Sequence, residues 1–451
     1  MLTEILPANA NAILKAVNLL KKGSIVALPT ETVYGLAGRT FDKAALKKIF
    51  KAKGRPSHDP LIVHVPVPEH VGGETPTSSD RFAQILHKLQ SKSFDERMVW
   101  IDHLVELKVL SSDISLLFDH ETLELIERTL RAHWPGPLTV VLPKHSHVSD
   151  TATSGQPTVA LRSPAHPVFA EVLALLKEPL CAPSANRFGH VSPTSAAHVF
   201  DDLCGEIPLI LDSGPTAIGI ESTIVQFYPK KQFALLRPGA FDVSLLQEMG
   251  WKITSKELAG VKSAGQISER LDHTQIEPKE DIPPGSTSPA ESIARGGGIA
   301  PENIAPGEMP SHYAPDKPLI YFNKATCSSL GLNEHSGKQR LAEVLLEKLE
   351  TLYPDFQQSK QQKRGLVLSL ELIEQPLKEH FKNVLGQIEF RELYTQAPKD
   401  WDAELAKSLF GILRDFEHSD FDWMAILPLP IGSSLSIAID NRLTKASWKY
   451  P

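Results

Sequence analysis

Cysteine is scarce in this chain: 451 residues hold three, Cys181, Cys204 and Cys327. They are odd in number and far apart, so they offer neither a disulfide framework nor the paired spacing of a zinc knuckle, and they fit a reducing compartment. Long apolar runs are also missing. None approaches the ~20 residues needed to span a bilayer, and the opening MLTEILPANANAILKAV lacks the basic start and continuous apolar stretch of a signal peptide. A cytoplasmic protein with no membrane partner is therefore expected. There is no GxGxxG, no Walker A sequence and no GxSxG nucleophile frame. No His pair has metal-ligand spacing on a helix, so a protein-held metal is not expected. Positive charge is not in excess, with 47 Lys and Arg against 54 Asp and Glu and a net charge of −7. That argues against a protein coated in nucleic acid, while leaving room for a local basic groove with weak RNA binding.

The length implies more than one domain, each with its own core. A hydrophobic content of 41% and a charged content of 22% are ordinary for a globular protein. Residues 9 to 22 have the spacing of an amphipathic helix, with Ile13, Val17 and Leu20 on one side and Gly23 ending it. Ser24 to Leu28 reads as a strand closed by Pro29, followed by the polar turn Thr30–Gly35. Asp42 caps a helix with Ala45, Leu46, Ile49 and Phe50 on one face, and Lys51, Lys53 and Arg55 fall in a Gly/Pro-broken loop before the strand Leu61–Val65. Residues 70 to 132 carry helix-like spacing and no arrangement of acids, bases or ligands, which reads as a helical insertion. Beyond it, short strands and helices alternate irregularly, with prolines at strand ends. The pattern predicts an α/β sheet of mixed direction rather than a regular doubly wound one. From 255 to 317 the chain is rich in Pro, Gly, Ser and Glu and reads as a linker. A second, smaller α/β domain follows, over 318–451.

Polar residues cluster where strands end, the place where open α/β sheets hold ligands. Lys51, Lys53, Arg55, Arg162 and Arg237 each end an element or closely follow one, and several such cations together favour a polyphosphate. The sequences PSAN (183 to 186) and IEST (220 to 223) offer hydroxyls after turns, and His64 lies within the apolar strand LIVHV. These residues fit an anion or nucleotide site. Taken singly, they read more readily as a surface turn, solvated cations and a core histidine; five cations at comparable sites weaken that reading.

Taken in order, PTETVYGLAG, KAKGRPSHDPLIVHV, WPGPLTVVL, TVALRSPAHP, APSANRFGHVSPT, GIESTIVQF and LLRPGAF resemble the YrdC/Sua5 family. The HYAP segment (312 to 315) and a C-terminal part ending near NRLTKAS resemble the longer Sua5 type. The resemblance covers about 2 to 250 and, more loosely, 305 to 451. It implies a YrdC-like domain over 1–254 (a twisted mixed sheet with a deep cavity), a linker over 255–317 with a lid segment, and a smaller Rossmann-like C-terminal domain over 318–451. It also implies an activity: L-threonine, bicarbonate or CO2, and ATP give threonylcarbamoyl-adenylate and pyrophosphate, with Mg2+ carried on ATP. The product then passes to a tRNA threonylcarbamoyl-transferase complex acting on adenosine 37 of ANN-decoding tRNAs. By motif, Thr32, His64, Arg162, Ala182 and Ser222 would contact threonine. Arg55, Asp59, Thr158, Ser184, Ser192 and Arg237 would line the ATP side, with Lys51 and Lys53 near the phosphates and Tyr313 closing over the nucleotide. No residue is implied as a dedicated general base; Arg55 and Arg162 would act by positioning.

The chain departs from the family in three places. The connection between the His64 strand and WPGPL spans some 70 residues where the family's is short, Asp59 stands where Asn is usual, and the segment before HYAP reads APGEMPS where basic and aromatic residues are typical. Two rival functions share these features, a carbamoyl-adenylate-handling carbamoyltransferase and an RNA-binding module using the cavity without catalysis. The first normally brings further domains that are not visible in this sequence.

Overall fold

A computed structural model of the chain describes residues 2–56, 58–68, 98–254, 314–323, 337–394 and 398–447. Eleven short strands form the first sheet: β1 (Glu4–Pro7), β2 (Val26–Leu28), β3 (Gly35–Arg39), β4 (Ile62–His64), β5 (Leu138–Pro143), β6 (Thr158–Arg162), β7 (Leu180–Cys181), β8 (Leu209–Asp212), β9 (Thr223–Tyr228), β10 (Gln232–Arg237) and β11 (Lys252–Ile253). Their order is β1-β8-β2-β3-β7-β4-β6-β5-β9-β10-β11. Parallel pairs such as β4 with β6 and β5 with β9 alternate with antiparallel ones such as β4 with β7 and β9 with β10. The sheet is mixed, as the irregular alternation in the sequence predicts. A second sheet holds β12 (Leu319–Tyr321), β13 (Arg364–Ser369), β14 (Gln387–Glu392) and β15 (Trp423–Ile426) in the order β12-β15-β13-β14, all parallel.

Helix α1 (Ala10–Lys21) starts at Asn9, whose side chain accepts from the Ala12 N–H, and it buries Ala12, Ile13, Ala16, Val17 and Leu20 on one face. Helix α2 (Lys43–Lys53) starts at Asp42, which accepts from the N–H groups of Ala44 and Ala45. It runs further than the sequence suggests, so Lys51 and Lys53 lie in its last turn rather than in a loop. The buried face continues through Ala52, and the left-handed residue that ends the helix comes only at Gly54, with φ 61°.

The described part of the helical stretch before Trp134 contains α3 (Val99–Glu106) and α4 (His120–His133); residues 69–97 lie outside the described residues. Trp100, Ile101, Leu104, Leu123, Ile126 and Leu130 share one apolar cluster with Tyr34, Leu36, Val140 and Val225 of the sheet. These helices therefore form part of the first domain's core. Helix α3 has no cap of its own. Glu127 of α4 supplies one: its buried carboxylate accepts from Trp100 N at 3.0 Å and Ile101 N at 3.0 Å, and Arg131 holds it from below at 2.7 Å.

That cluster covers one face of the first sheet. On the opposite face, α1 and α5 (Pro167–Leu176) cover the half built from β1, β8, β2, β3 and β7, with Val17, Leu20, Phe169 and Leu173 over Val26, Leu28, Leu209 and Leu211. The other half of that face carries a smaller cluster, Ile62, Val141, Ala160, Ile224, Ala234 and Leu236. The polar residues gather there.

In the second domain, α6 (Gly337–Leu352) and α7 (Gln375–Leu385) pack on one face of the sheet. Helices α8 (Trp401–Glu417) and α9 (Ser434–Ala446) pack on the other, and Val33, Val191 and Ile220 of the first domain join their apolar cluster. The two domains thus share a core. At Gly219 (φ 88°) a Cβ would stand 2.3 Å from the Ala406 carbonyl oxygen, so the backbone of the first domain lies directly on α8.

Candidate active site

The register of β4 and β6 makes the centre of the site. His64 ends β4 and Arg162 ends β6, and the two are paired partners in the parallel ladder. Alternation sends Val63 and Leu161 into the main core and leaves Ile62, His64, Ala160 and Arg162 on the opposite face. Ala182 joins them from β7's end, its N–H donating to Ile62 O at 3.0 Å. Ser222 precedes β9 and Arg237 ends the antiparallel β10, which brings both to the same border; Arg237 donates to Ser222 O from Nε at 3.1 Å and Nη2 at 2.9 Å. Together with the 30–35 turn these residues form a cavity partly open to solvent, with about 500 Å³ of empty space counting its open mouth, lined by Thr30, Thr32, Val33, Gly35, Arg55, Ile62, His64, Arg162, Ala182, Pro183, Ser184, Glu221, Ser222 and Arg237. The cavity lies along a sheet face, where the strand-end reading of the sequence places it at an edge.

Local hydrogen bonds fix the turn. The Thr30 hydroxyl accepts from Thr32 N at 3.1 Å and Val33 N at 3.2 Å and donates to Val33 O at 2.6 Å. Arg162 then ties the turn to the sheet. It donates to Thr32 Oγ1 at 3.0 Å, Glu31 Oε1 at 2.6 Å and Gly136 O at 3.1 Å. Arg55 follows the left-handed cap of α2, and the chain wraps around its guanidinium. It donates to Asp59 O at 3.1 Å and Pro60 O at 2.7 Å and meets the Asp59 carboxylate at 2.9 Å.

The cavity's charges are fixed by burial and pairing. His64 is buried against Phe169, with ring centroids 5.0 Å apart. Burial first, then the Arg162 charge, lower its pKa to about 3, so the imidazole is neutral near pH 7. Its Nδ1 has no hydrogen-bond partner. The Glu221 carboxyl sits below its usual range even though burial pushes it up, because Arg442, Arg237 and the Ser192 hydroxyl outweigh that burial.

Of the residues expected to contact threonine, Thr32, His64, Arg162, Ala182 and Ser222 all line this cavity. On the expected nucleotide side, Arg55, Ser184 and Arg237 do so as well. Others are placed elsewhere. Lys51 is exposed on the last turn of α2. Lys53 is buried, with Nζ donating to Ser184 O and Asn186 O at 2.5 Å each, so it props the PSAN loop from behind. Burial, then Arg55, hold its pKa well below the usual lysine range. Asp59 is buried beside Arg55 and faces neither solvent nor cavity; burial raises its pKa against the pull of Arg55 and Lys53. Thr158 opens β6 on the cavity face, about 13 Å along the strand from Arg162. Ser192 donates to Glu221 Oε1 at 2.6 Å behind the lining. Tyr313 lies outside the described residues. Glu31 and Glu221 were not singled out from the sequence. Each stands in a quoted motif, but its role depends on an arginine 131 or 221 residues away.

Comparison with known families and proteins matches residues 18–108 and 102–239 to the Sua5/YciO/YrdC family model, described as telomere recombination. Residues 263–447 match the model described as threonylcarbamoyl-AMP synthase, C-terminal domain. The threonylcarbamoyl-AMP synthase of Schizosaccharomyces pombe is 30% identical over 445 residues, covering 97% of this chain and 88% of the yeast protein. That of Bacillus subtilis is 29% identical over 451 residues, covering 99% and 95%. That of Pyrococcus abyssi is 37% identical over 236 residues, 52% of this chain and only 56% of the archaeal one. In three dimensions the crystal structure of P. abyssi Sua5 complexed with L-threonine superposes with a TM-score of 0.61 at 26% identity, covering 99% of this chain and 97% of that one.

Proposed function

The chain belongs to the threonylcarbamoyl-AMP synthase family, and on that premise we propose how its cavity makes threonylcarbamoyl-adenylate, acting as a nucleotidyltransferase. The observation that carries the reading is the convergence of His64, Arg162, Thr32, Ala182 and Ser222 with Arg55, Ser184 and Arg237 around one cavity. Threonine binds at the His64–Arg162 end. Arg162 meets its carboxylate with the guanidinium N–H groups not already committed to Thr32, Glu31 and Gly136. The neutral imidazole of His64 forms the wall at that end, adding no positive charge beside an ammonium that must lose its proton.

ATP lies on the Arg55, Ser184 and Arg237 side and extends along the sheet face toward Thr158. The threonine ammonium gives its proton to solvent, the free nitrogen adds to CO2 and releases a second proton to solvent as the carbamate forms, and a carbamate oxygen then displaces pyrophosphate at the α-phosphorus. Both partners are anions, so the arginines supply charge neutralisation and alignment rather than proton transfer. No described residue is assigned as a general base. Among the described residues no group of three or more His, Cys, Asp or Glu could hold a metal, and Glu221, the carboxylate that lines the cavity, is paired with Arg442. Mg2+ enters on the ATP phosphates, where nucleotidyl transfer needs it. The product serves a separate tRNA-modifying transferase.

The test is pyrophosphate release by the full chain. Release is expected only with ATP, L-threonine and bicarbonate together, and R162A and R55A should each lower the rate by about 10²-fold or more. Turnover without threonine, or wild-type rates in both variants, would overturn the reading.

A further inference from the structure

Among the described residues, Arg442 of the second domain holds a carboxylate that lines the cavity. Arg442, on α9, is fully buried, and its Nε donates to Glu221 Oε2 at 2.7 Å. Glu221 lines the cavity beside Ser222 and receives the Ser192 hydroxyl on its other oxygen at 2.6 Å. The loop that carries it is bound to the substrate turn, with Ile218 N on Glu31 O at 2.9 Å and Gly219 N on Thr32 O at 3.2 Å. Without Arg442 a buried carboxylate would face a pocket that has to accept a polyphosphate. The next cation within its field is Arg237, which the proposed reading places on the nucleotide. A carboxylate released from Arg442 would draw on Arg237 and repel the phosphates.

We propose that Arg442 is a positioning residue of the active site, holding Glu221 away from Arg237 so that the second domain completes the nucleotide end of the cavity. The proposal rests on the functional reading above and goes beyond it by giving the C-terminal domain a part in catalysis. A second buried interdomain arginine supplies the control. Arg414, on α8, donates to Asp202 Oδ2 at 2.8 Å and to the Val191 carbonyl, and contacts no cavity-lining side chain through those bonds.

The experiment measures steady-state pyrophosphate release against ATP and against threonine for wild type, R442M, R442K, R442M/E221Q and R414M, with thermal melting of each. R442M should raise the KM for ATP about tenfold while leaving that for threonine within twofold. R442K should fall between, and R442M/E221Q should return toward wild type because the stranded charge is gone. R414M should lower the melting temperature without the ATP-specific shift. If R442M does not fold, R442K and the double variant carry the test. Equal losses in R414M and R442M, or ATP and threonine KM values that rise together, would overturn the proposal and make Arg442 a docking contact only. Calorimetric titration with a non-hydrolysable ATP analogue reads the same contrast without turnover. It therefore distinguishes failure of this proposal from failure of the proposed reaction.

Discussion

At the scale of single residues, the cavity depends on groups whose ionisation is set by their surroundings. His64 is the clearest case, with a pKa moved from 6.5 to about 3. The native state refuses a proton that the unfolded chain accepts, so this contribution to stability is fully present above pH 6.5. It is lost as pH falls from 6.5 toward 3, at about 1.4 kcal/mol per pH unit. Replacing His64 by Gln should therefore flatten the fall in melting temperature between pH 6.5 and 4.5; an unchanged slope would contradict a neutral buried imidazole. Asp59 gives a second prediction. Its carboxylate lies 2.9 Å from Arg55 and offsets that charge. D59N should tighten ATP binding by about 1 kcal/mol, roughly fivefold, as measured by KM or calorimetry. The sequence made these residues visible as motif positions and left their environment open. Lys53 shows the difference: its charge suggested a phosphate ligand, and burial makes it a support for the loop that bears Ser184.

Among the elements, α3 and α4 carry the largest gap between pattern and structure. Helical spacing in this stretch was readable, as were the caps of α1 and α2, because these signals lie within a few residues of one another. That Trp100 and Leu130 enter the core beside Tyr34 and Val140 was not readable, since such packing joins residues far apart in sequence. The same holds for the cap of α3, which comes from Glu127, 27 residues beyond the Trp100 N–H it receives. Glu127→Ala should cost about 2–3 kcal/mol in urea unfolding, because it strands two N–H groups at a buried helix start and removes the partner of Arg131. Glu127→Gln, which keeps an acceptor, should lose less. A neutral result for Glu127→Ala would mean that α3 does not need this cap. The site's face follows from period-two alternation along β4 and β6, and alternation alone cannot say which face is left to a ligand. The helices of the opposite cluster decide that.

For the molecule as a whole, the composition gave two domains and a boundary but no hint of how tightly they join. Val33, Val191 and Ile220 contribute to the second domain's core, and two buried arginines cross between domains. At Gly219 the junction is backbone against backbone. Replacing this glycine by Ala puts a methyl group 2.3 Å from the Ala406 carbonyl oxygen and strains a left-handed backbone. G219A should lose about 2–4 kcal/mol, and calorimetry should show one transition splitting into two as the domains uncouple. A single unshifted transition would refute a shared folding unit.

The bare backbone of Gly219 against α8 also bears on inheritance and engineering. A catalytic half grafted onto the second half of a distant relative would meet a helix whose register at position 406 was set against a different loop. Chimeras cut at the linker should express poorly unless the 214–222 loop travels with its native α8 and α9. The same fit should let the two halves, made as separate chains in one cell, find each other and recover activity without the peptide that joins them.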